Sequence, residues 1–572
     1  MNKDKSKIKN YQYDAIVVGT GISGGWAAKE LCEQGLKTLV LERGRMVKHI
    51  EDYTTAHLDP WNIPNGGKTS QEIINRKPKQ HRTGYTTDPT CEHFFVDDTK
   101  HPYNEDRRFD WIRGYHVGGR SLMWGRQSYR LSDFDFEANK KEGIAVDWPV
   151  RYKDIEPWYD KVEEYIGVSG ENLGMKHFPD QKLLKPMNLN CVEEHLKSKI
   201  SEKFDDDRVL TIGRAAHITE GTKEGIGRTS CQYRSRCMRG CPYGAYFSSN
   251  SSTLPAAEAT GNMTLRPNSI VHEVMYDDSI KKATGVRVID TETKESMVFN
   301  AKVIFLCASA IASASILLQS KSNRFPNGLG NDSGELGHNI MDHHFHVGAS
   351  AIVEGFEDKY VKGRRPNGIY IPRFRNLGGK TNMKNFKRGY GYQGGASRKN
   401  TSELVAELKY GPKLVEEILK PGQWKMNLLA FGETLPDHNN RMYLDEDKKD
   451  EWGLPTVTFD ADFGENEFAM RKDMQQQAKK MLEAAGYKNV KGYDNGGKAM
   501  GLGIHEMGTA RMGRDPKTSV LNKYNQIHAC KNVYVTDGAF MTSSGCQNPS
   551  LTYMAFTARA AHHAAKKFNE ET

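Results

Sequence analysis

A strand, a glycine-rich turn, a helix and a second strand follow one another over residues 13–44, and no other part of the chain constrains the fold as strongly. The apolar run that ends at Val18 predicts a strand, and the residues from about Ser23 to Gln34 predict a helix. Thr38 to Leu41 predict a second strand. A helix that connects two strands in this order is typical of a parallel sheet, so the unit predicts a doubly wound α/β domain.

Three glycines and one acidic residue within this unit predict a dinucleotide site. Gly19 permits the tight turn, Gly21 lets backbone amides approach a pyrophosphate, and Gly24 lets the helix pack on the strand. The N-terminus of the helix attracts phosphate, and Glu42 can accept hydrogen bonds from ribose hydroxyls. A lone G-x-G-x-x-G motif is weak evidence, but here both strands, the helix and the acid stand in the required order.

Two C-terminal segments supply the candidate catalytic residues. HEMGTARMG begins at His505, and GCQNPSLTYMAFTARAA contains Asn548. A histidine can accept a proton near neutral pH, and an amide can donate a hydrogen bond without carrying charge, so the pair suits the oxidation of an alcohol. Taken singly, His505 could be a buried core histidine, and Asn548 could cap the helix that Pro549 and Ser550 begin.

The composition indicates a large folded protein without a nucleic-acid site. The chain has 572 residues, of which 37% are hydrophobic, so it can bury an extensive core. Because the first and last motifs must share one ligand, we do not expect contiguous domains. The net charge of +9 comes from scattered lysines, and no basic helix or aromatic RNA-binding motif stands out.

The sequence also bears on membranes and location. The longest apolar stretch, residues 303–318, is interrupted by serines and is too short to cross a bilayer, so no transmembrane helix is expected. The first residues, MNKDKSKIKNYQYD, contain no apolar stretch of the kind found in a signal peptide. We therefore expect a cytoplasmic protein, or a periplasmic one that is exported together with a partner subunit.

The nine cysteines do not form a disulfide pattern, because six are scattered. Cys231, Cys237 and Cys241 form a C-x5-C-x3-C-P array, and three clustered thiolates suit a 3Fe-4S cluster, with one ligand for each iron. Nearby arginines would offset the negative charge of such a cluster and raise its reduction potential. These arginines are Arg228, Arg234, Arg236 and Arg239. Reduced structural thiols, or a zinc site with His217 as fourth ligand, are the alternatives.

Five blocks of sequence together resemble the glucose-methanol-choline (GMC) oxidoreductases. They are VVGTGISGGWAAKELCEQG, HVGGRSLMWGRQSYRL, VIFLCASAIASASILLQS and the two segments with His505 and Asn548. The blocks keep the order of that family and extend over nearly the whole chain. The resemblance implies FAD as the cofactor, and it makes His505 and Asn548 match the family's catalytic histidine and asparagine.

The resemblance also implies how the cofactors are held. Some pyranose oxidases of the family bind flavin through the histidine of a THW triplet; here Met123 takes that place, which implies non-covalent FAD. The cysteine array is similar to that of the family's bacterial sugar dehydrogenases, which carry a 3Fe-4S cluster and pass electrons to a haem-bearing partner. The residues assigned to the FAD site are Gly19, Gly21, Ile22, Ser23, Gly24, Glu42, Arg43, Gly118, Gly119, Ser121, Val271, Asp537, Gly538, Asn548, Pro549 and Ser550.

The predicted fold class is mixed α/β, with a Rossmann-like FAD-binding domain interleaved with a substrate domain built on an antiparallel sheet with helices. Residues 1–50, 106–146, 226–345 and 498–572 are assigned to the FAD domain, 51–105 to a lid or surface excursion, and 147–225 and 346–497 to the substrate domain. His343, His344 and His346 stand together but have no Cys or Asp cluster beside them, so we do not assign a metal to them.

The predicted activity is the oxidation of a secondary or anomeric hydroxyl of a sugar or glycoside to a carbonyl. A glucoside oxidised at C3 and an aldose oxidised at C1 both fit, because the loops of 346–497 carry no readable specificity code. Electrons are expected to leave through the cysteine cluster to a small partner subunit and a haem-bearing acceptor. The alternatives are an oxidase that reduces oxygen, with structural cysteines, and a non-catalytic flavoprotein that relays electrons.

Overall fold

A computed structural model describes residues 12–206, 208–359, 368–398, 422–495 and 499–571, together with residue 412. The first eleven residues and parts of the predicted loops in 346–497 lie outside this description. The described chain contains two large sheets and one small sheet. The boundaries assigned above to each domain stay a prediction.

The first sheet is built around five parallel strands in the order β17-β8-β1-β2-β5. Both faces of these strands are buried, which explains why their residues are apolar with little alternation. A hairpin, β6 and β7, extends the sheet from β8, and β16 pairs antiparallel with β17. The strands are β1 (Gln12–Val18), β2 (Thr38–Leu41), β5 (Met263–Arg266), β6 (Ser269–Asp277), β7 (Lys282–Asp290), β8 (Ser296–Leu306), β16 (Gln526–Ile527) and β17 (Cys530–Val535).

The helices next to this sheet include the one predicted after the glycine turn, which begins and ends one residue earlier than expected. That helix packs against the C-terminal helix, which begins directly after Pro549 as predicted. The predicted α/β fold class is confirmed by this arrangement. The described helices that do not cover the second sheet are α1 (Ile22–Glu33), α2 (Gln71–Arg76), α3 (Asp133–Phe136), α4 (Ala138–Glu142), α5 (Tyr152–Ile166), α7 (Thr253–Ala259), α8 (Ala310–Gln319) and α10 (Ser550–Glu571).

The second sheet is antiparallel, with six strands in the order β15-β9-β12-β11-β10-β4. Along β12 buried residues alternate with more exposed ones, because one face of the sheet lies on a helical layer. The strands are β4 (Thr211–Ile212), β9 (His344–Val353), β10 (Ile369–Ile371), β11 (Tyr390–Arg398), β12 (Trp424–Gly432) and β15 (Lys488–Asp494). The covering helices are α6 (Cys191–Lys203) and α9 (Glu465–Ala484), and α9 agrees with the amphipathic helix predicted there.

A third, small sheet joins the segment 51–105 to the rest of the chain. It contains β3 (Asn104–Glu105), β13 (Arg441–Lys449) and β14 (Pro455–Asp460). Most of 51–105 consists of turns and short helical pieces, as its content of turn residues predicts. Thr83, Tyr85 and Phe95 of this segment line the main cavity, so part of the predicted lid covers it.

Candidate active site

One cavity of about 780 Å³ lies where the carboxyl ends of the parallel strands meet the uncovered face of the second sheet. The ends of β1, β2, β8 and the residues after β17 all contribute to its wall. Ligands of open α/β sheets bind in this position, because the loops there diverge and leave a crevice. The cavity extends from Glu42 to His505, so the N-terminal and C-terminal motifs share one site as expected.

The glycine turn has the shape that a pyrophosphate needs. A Cβ at Gly21 would meet no protein atom within 4 Å, so this residue borders open space in the cavity wall. A Cβ at Gly24 would stand 1.9 Å from the carbonyl oxygen of Gly19, so that glycine serves the packing of helix α1 on the turn. No side chain caps the N-terminus of α1, which leaves its first amides available to an anion.

Glu42 presents a buried carboxylate to the same end of the cavity. Its oxygens accept hydrogen bonds from the Thr20 hydroxyl at 2.5 Å and the Gly44 amide at 2.9 Å. Burial raises the pKa of Glu42, and the Thr20 bond opposes that shift. The Thr20 hydroxyl also accepts the Gly118 amide at 2.9 Å, which ties the second glycine turn to the first. Glu42 therefore has the position expected of a ribose acceptor.

Arg43 and Val271 line the part of the cavity next to Glu42. The Arg43 guanidinium lies over the rings of Tyr115 and Trp452, at 4.8 and 5.4 Å, and reaches Asp450. Val271 belongs to β6 and lines the cavity as assigned. These contacts form a flat, partly apolar pocket that suits an adenine ring.

Asp537 braces the wall near the first turns of α8 and α10. Its carboxylate accepts bonds from the Ser309 amide at 3.0 Å, the Ser313 hydroxyl at 2.5 Å and the Ala539 amide at 3.0 Å. Burial raises the pKa of Asp537 to about 6, and the Ser313 bond opposes that shift. Neighbouring Gly538 permits a close approach, because a Cβ there would lie 2.3 Å from the Glu506 carbonyl oxygen.

Most of the residues assigned to FAD from the sequence lie on the cavity wall. Gly24, Gly118 and Pro549 do not line it and instead support residues that do. The assigned residues on the wall are Gly19, Gly21, Ile22, Ser23, Glu42, Arg43, Gly119, Ser121, Val271, Asp537, Gly538, Asn548 and Ser550. Met123, which the resemblance implies takes the place of the histidine of the THW triplet, is also on the wall.

His505 and Asn548 meet at the other end of the cavity. The Asn548 Nδ2 atom lies 3.5 Å from His505 Nε2, and both side chains line the wall. The other ring nitrogen of His505, Nδ1, lies 2.7 Å from Nδ1 of His343, a contact that sequence reasoning missed. In the sequence, the histidines at 343 and 344 stand out only as possible metal ligands, and their spacing does not support a metal site. Nothing in the sequence indicates that His343 contacts His505.

A fixed backbone acceptor determines which nitrogens of the two histidines carry hydrogen. His343 Nε2 lies 2.8 Å from the Gly545 carbonyl oxygen, which can only accept, so Nε2 is the protonated nitrogen. In neutral His343, Nδ1 is then an acceptor and receives the hydrogen of His505 Nδ1. His505 Nε2 is left as a basic lone pair, next to Asn548.

The surroundings keep both histidines neutral. Burial lowers the pKa of His343 to about 4. Burial, His343 and the Arg120 guanidinium lower the pKa of His505 well below its usual value. Arg120 is itself held by a two-point ion pair with Glu506, at 2.8 and 3.1 Å. His505 is therefore in the form that accepts a proton.

Asp342 holds the loop that carries His505. One carboxylate oxygen accepts hydrogen bonds from the backbone amides of Gly501 and Gly503, both at 2.8 Å. The other accepts a hydrogen bond from the His505 amide at 3.0 Å. Asp342 directly precedes His343, so one short segment positions both the ring and the backbone of the candidate base. Burial raises the pKa of Asp342 to about 7, and nearby Glu506 acts in the same direction.

The three clustered cysteines line a second, small cavity of about 30 Å³ with His217 and nearby arginines. Burial raises the pKa of Cys231 to about 11, with a contribution from the neighbouring cysteines, so its thiol is protonated without a metal. In the parts of the chain that the structure describes, no set of three His, Cys, Asp or Glu side chains is placed to hold a metal ion.

Two contacts connect the cysteine cavity with the main cavity. Met238, between two of the cysteines, lines the main cavity. Arg126, on the main wall, places Nε 3.3 Å from His217 Nε2, on the cysteine wall. The two cavities are therefore neighbours, with the Met238 segment and the Arg126–His217 contact between them.

Comparison with known proteins identifies the family. A family model described as GMC oxidoreductase matches residues 13–345, and another with the same description matches residues 436–557. The chain is a GMC oxidoreductase. Like other members, it is an FAD-dependent oxidoreductase that acts on CH–OH donors, and the glycine turn, Glu42 and the cavity fit that cofactor.

The relatives of this GMC oxidoreductase include two bacterial dehydrogenases. The fructose dehydrogenase large subunit of Gluconobacter japonicus is 27% identical over 96% of this chain and 97% of that protein. The 2-methyl-1,2-propanediol dehydrogenase of Mycolicibacterium austroafricanum is also 27% identical, over 98% of this chain and 96% of that protein. Formate oxidase of Aspergillus oryzae shares the fold, with a TM-score of 0.61 and 12% identity over 99% of this chain and all of that one.

The structure also bears on the membrane prediction. Within the described ranges, no helix combines the length and apolar character needed to cross a bilayer.

Proposed function

We propose that this GMC oxidoreductase is a dehydrogenase that oxidises a secondary or anomeric hydroxyl of a sugar or glycoside, such as the C3 hydroxyl of a glucoside, to a carbonyl. The observation that carries the proposal is the pair formed by His505 and Asn548 in the cavity wall. His505 Nε2 is a lone pair next to an amide donor, and this combination can remove a hydroxyl proton while the oxygen is held.

In the proposed reaction, three side chains have separate roles. His505 takes the hydroxyl proton at Nε2 and becomes an imidazolium, which His343 stabilises through the Nδ1 contact. Asn548 donates to the reacting oxygen and fixes its distance from the base. When bound, FAD supplies the acceptor for the hydride that leaves the carbinol carbon. A positioned base of this kind contributes about 10²- to 10⁴-fold to the rate.

A polyhydroxylated substrate agrees with the cavity wall beyond the base. Gln393, Asn427 and His346 from the second sheet line it, alongside Phe345 and Phe431. Amides next to aromatic rings suit a sugar, which has hydroxyls at its edge and apolar C–H faces. The relationship to a fructose dehydrogenase large subunit supports the same class of substrate.

We further propose that Cys231, Cys237 and Cys241 bind a 3Fe-4S cluster and that electrons leave on this side to a haem-bearing partner, with a small subunit also bound. When bound, such a cluster accepts electrons one at a time. The spacing of the cysteines and their nearness to the main cavity support the proposal. The relative named as a large subunit supports a complex of several chains.

A substrate screen with two readouts tests the dehydrogenase proposal. The purified protein is mixed with free sugars, glycosides and simple alcohols, and turnover is followed with an artificial one-electron acceptor and, separately, as hydrogen peroxide under air. We expect sugars or glycosides to be the best donors, with little peroxide. Stoichiometric peroxide would identify an oxidase instead, and a flavin that no sugar bleaches would contradict the substrate class.

A further inference from the structure

We propose that Gln393 is a positioning residue that fixes the amide of Asn548 with its N–H toward the reacting oxygen. The inference rests on the proposed role of Asn548 and adds a residue from the second sheet to it. Gln393 Nε2 lies 2.6 Å from Asn548 Oδ1. This is a short side-chain bond between a strand of the second sheet and the start of α10.

The direction of this bond follows from the far end of one hydrogen-bonded chain. The Gly545 carbonyl oxygen can only accept, so His343 donates to it, His505 donates to His343, and Nε2 of His505 is bare. Only the Nδ2 side of Asn548 can face that lone pair, which leaves Oδ1 on the opposite side. Gln393 supplies the donor that Oδ1 requires. The four hydrogen bonds therefore all point the same way: Gln393 donates to Asn548, Asn548 to His505, His505 to His343, and His343 to the Gly545 carbonyl oxygen.

The strand that carries Gln393 makes it a rigid anchor. Residue 393 is in β11, where it lies opposite Leu429 of β12 and Tyr370 of β10. With paired strands on both sides, its backbone cannot shift without breaking the sheet. Asn548 is only 9% exposed, so the amide has little access to water as an alternative partner. Among the described residues, Gln393 is the donor that the structure places at Oδ1, and without it the long 3.5 Å contact with His505 alone would favour the productive orientation.

An amide turned by 180° would disable the site without removing a catalytic group. Its Oδ1 atom would then face the lone pair of His505 and the substrate oxygen, and both contacts would be repulsive. Two variants change the orientation of the Asn548 amide while the amide itself stays in place. Gln393→Leu removes the donor, and Gln393→Glu presents a carboxylate, which turns the amide over above the pKa of the new group and donates again below it.

The experiment measures the limiting rate of anaerobic flavin bleaching as a function of pH. We expect the limiting rate of Gln393→Leu to be lower by about 10- to 100-fold, because a small misplacement of an active-site group has an effect of this size. The limiting rate of Gln393→Glu should fall by at least as much at high pH, where the new carboxylate is ionised. It should recover toward the parent rate at low pH, where the new group is protonated and donates again. Flavin content should be unchanged in both, because Gln393 does not hold the glycine turn.

A double-mutant cycle with Asn548→Ala gives the decisive comparison. Once the amide is absent, Gln393→Leu should cost nothing further. Asn427→Leu serves as the matched control: it removes an amide from the neighbouring strand that lines the same cavity but is bonded to the Tyr493 hydroxyl at 3.0 Å. Its effect should add to that of Asn548→Ala.

Additive behaviour of Gln393→Leu with Asn548→Ala, or a Gln393→Glu rate that does not depend on the new ionisation, would overturn the proposal. The cycle uses whichever CH–OH donor bleaches the parent enzyme fastest. Failure of the sugar preference would therefore appear in the parent screen and would leave the test of Gln393 intact.

Discussion

The candidate base, His505, depends on a second histidine that accepts the hydrogen of its Nδ1 atom. The sequence predicts His505 from its motif, but its partner His343 stands 162 positions earlier, and no local pattern connects the two. Periodicity describes which face of an element a residue occupies, and it contains no information on contacts between remote segments. The partner could be assigned only once the structure placed the two Nδ1 atoms 2.7 Å apart.

Replacement of His343 should slow flavin reduction while the neighbouring replacement does not. His343→Leu removes the acceptor for His505 Nδ1, so the ring can adopt the wrong tautomer, and we expect a loss of about 10- to 100-fold. His344→Leu is the matched control, because its buried ring packs against Phe463 instead. Stopped-flow bleaching under anaerobic conditions measures both. Equal losses in the two variants would reduce His343 to a packing residue.

The environment of His505 also predicts a pH profile. A base acts while it is neutral, and the pKa of His505 is lowered well below 6.5 by burial, His343 and Arg120. The limiting rate of flavin reduction should therefore stay level as the pH falls through 6.5 and decrease only in more acidic solution. The measurement is this rate between pH 5 and pH 9. A midpoint at or above 6.5 would show that another group, or a solvated histidine, controls the reaction.

At the scale of elements, we predict that the turn between β1 and α1 holds the cofactor. Gly21→Val should give protein without flavin, because the new side chain would fill the open space beside the uncapped helix N-terminus. Gly35→Asn is the matched control at the other end of α1. There a Cβ meets no atom within 4 Å, and asparagine tolerates the positive φ of 87°.

The ratio of flavin absorbance to protein absorbance reports the outcome for both variants. A full complement of flavin in Gly21→Val would mean that the turn binds another ligand. Acid precipitation of the parent protein should release all its flavin, since Met123 offers no histidine for a covalent bond.

The elements were more predictable than the contacts between them. The strands β1 and β2, the helices α1 and α9 and the start of α10 follow from apolar periodicity, glycine and proline, which act within a few residues. The pairing of Gln393 with Asn548 joins residues 155 positions apart, and the bond between Arg126 and His217 joins residues 91 positions apart. Such contacts depend on how remote segments pack together, which local sequence does not encode.

At the scale of the whole molecule, two cavities lie side by side, separated by Met238 and the Arg126–His217 contact. This arrangement predicts that oxidation of the donor and delivery of electrons can be separated by mutation. Cys237→Ser should leave single-turnover bleaching of the flavin intact, since hydride transfer occurs in the main cavity. It should abolish turnover with a one-electron protein acceptor, along with the iron content and the low-temperature EPR signal of a 3Fe-4S cluster.

Met238→Leu is the control for that experiment, because it keeps the side-chain volume beside the cysteines and leaves all three thiols in place. It should retain iron, the EPR signal and turnover. A parent protein without iron that still delivers electrons at the full rate would leave the three cysteines as structural thiols.

The central claim is that His505 removes a proton from a sugar hydroxyl as the carbinol hydride leaves for the flavin. The most direct measurement is anaerobic bleaching of the flavin by the best sugar or glycoside, with hydrogen or deuterium at the reacting carbon, in the parent and in His505→Ala. We predict a primary isotope effect in the parent. The variant should keep its flavin and bleach more slowly by about 10²- to 10⁴-fold. Near-normal bleaching of His505→Ala would contradict the account.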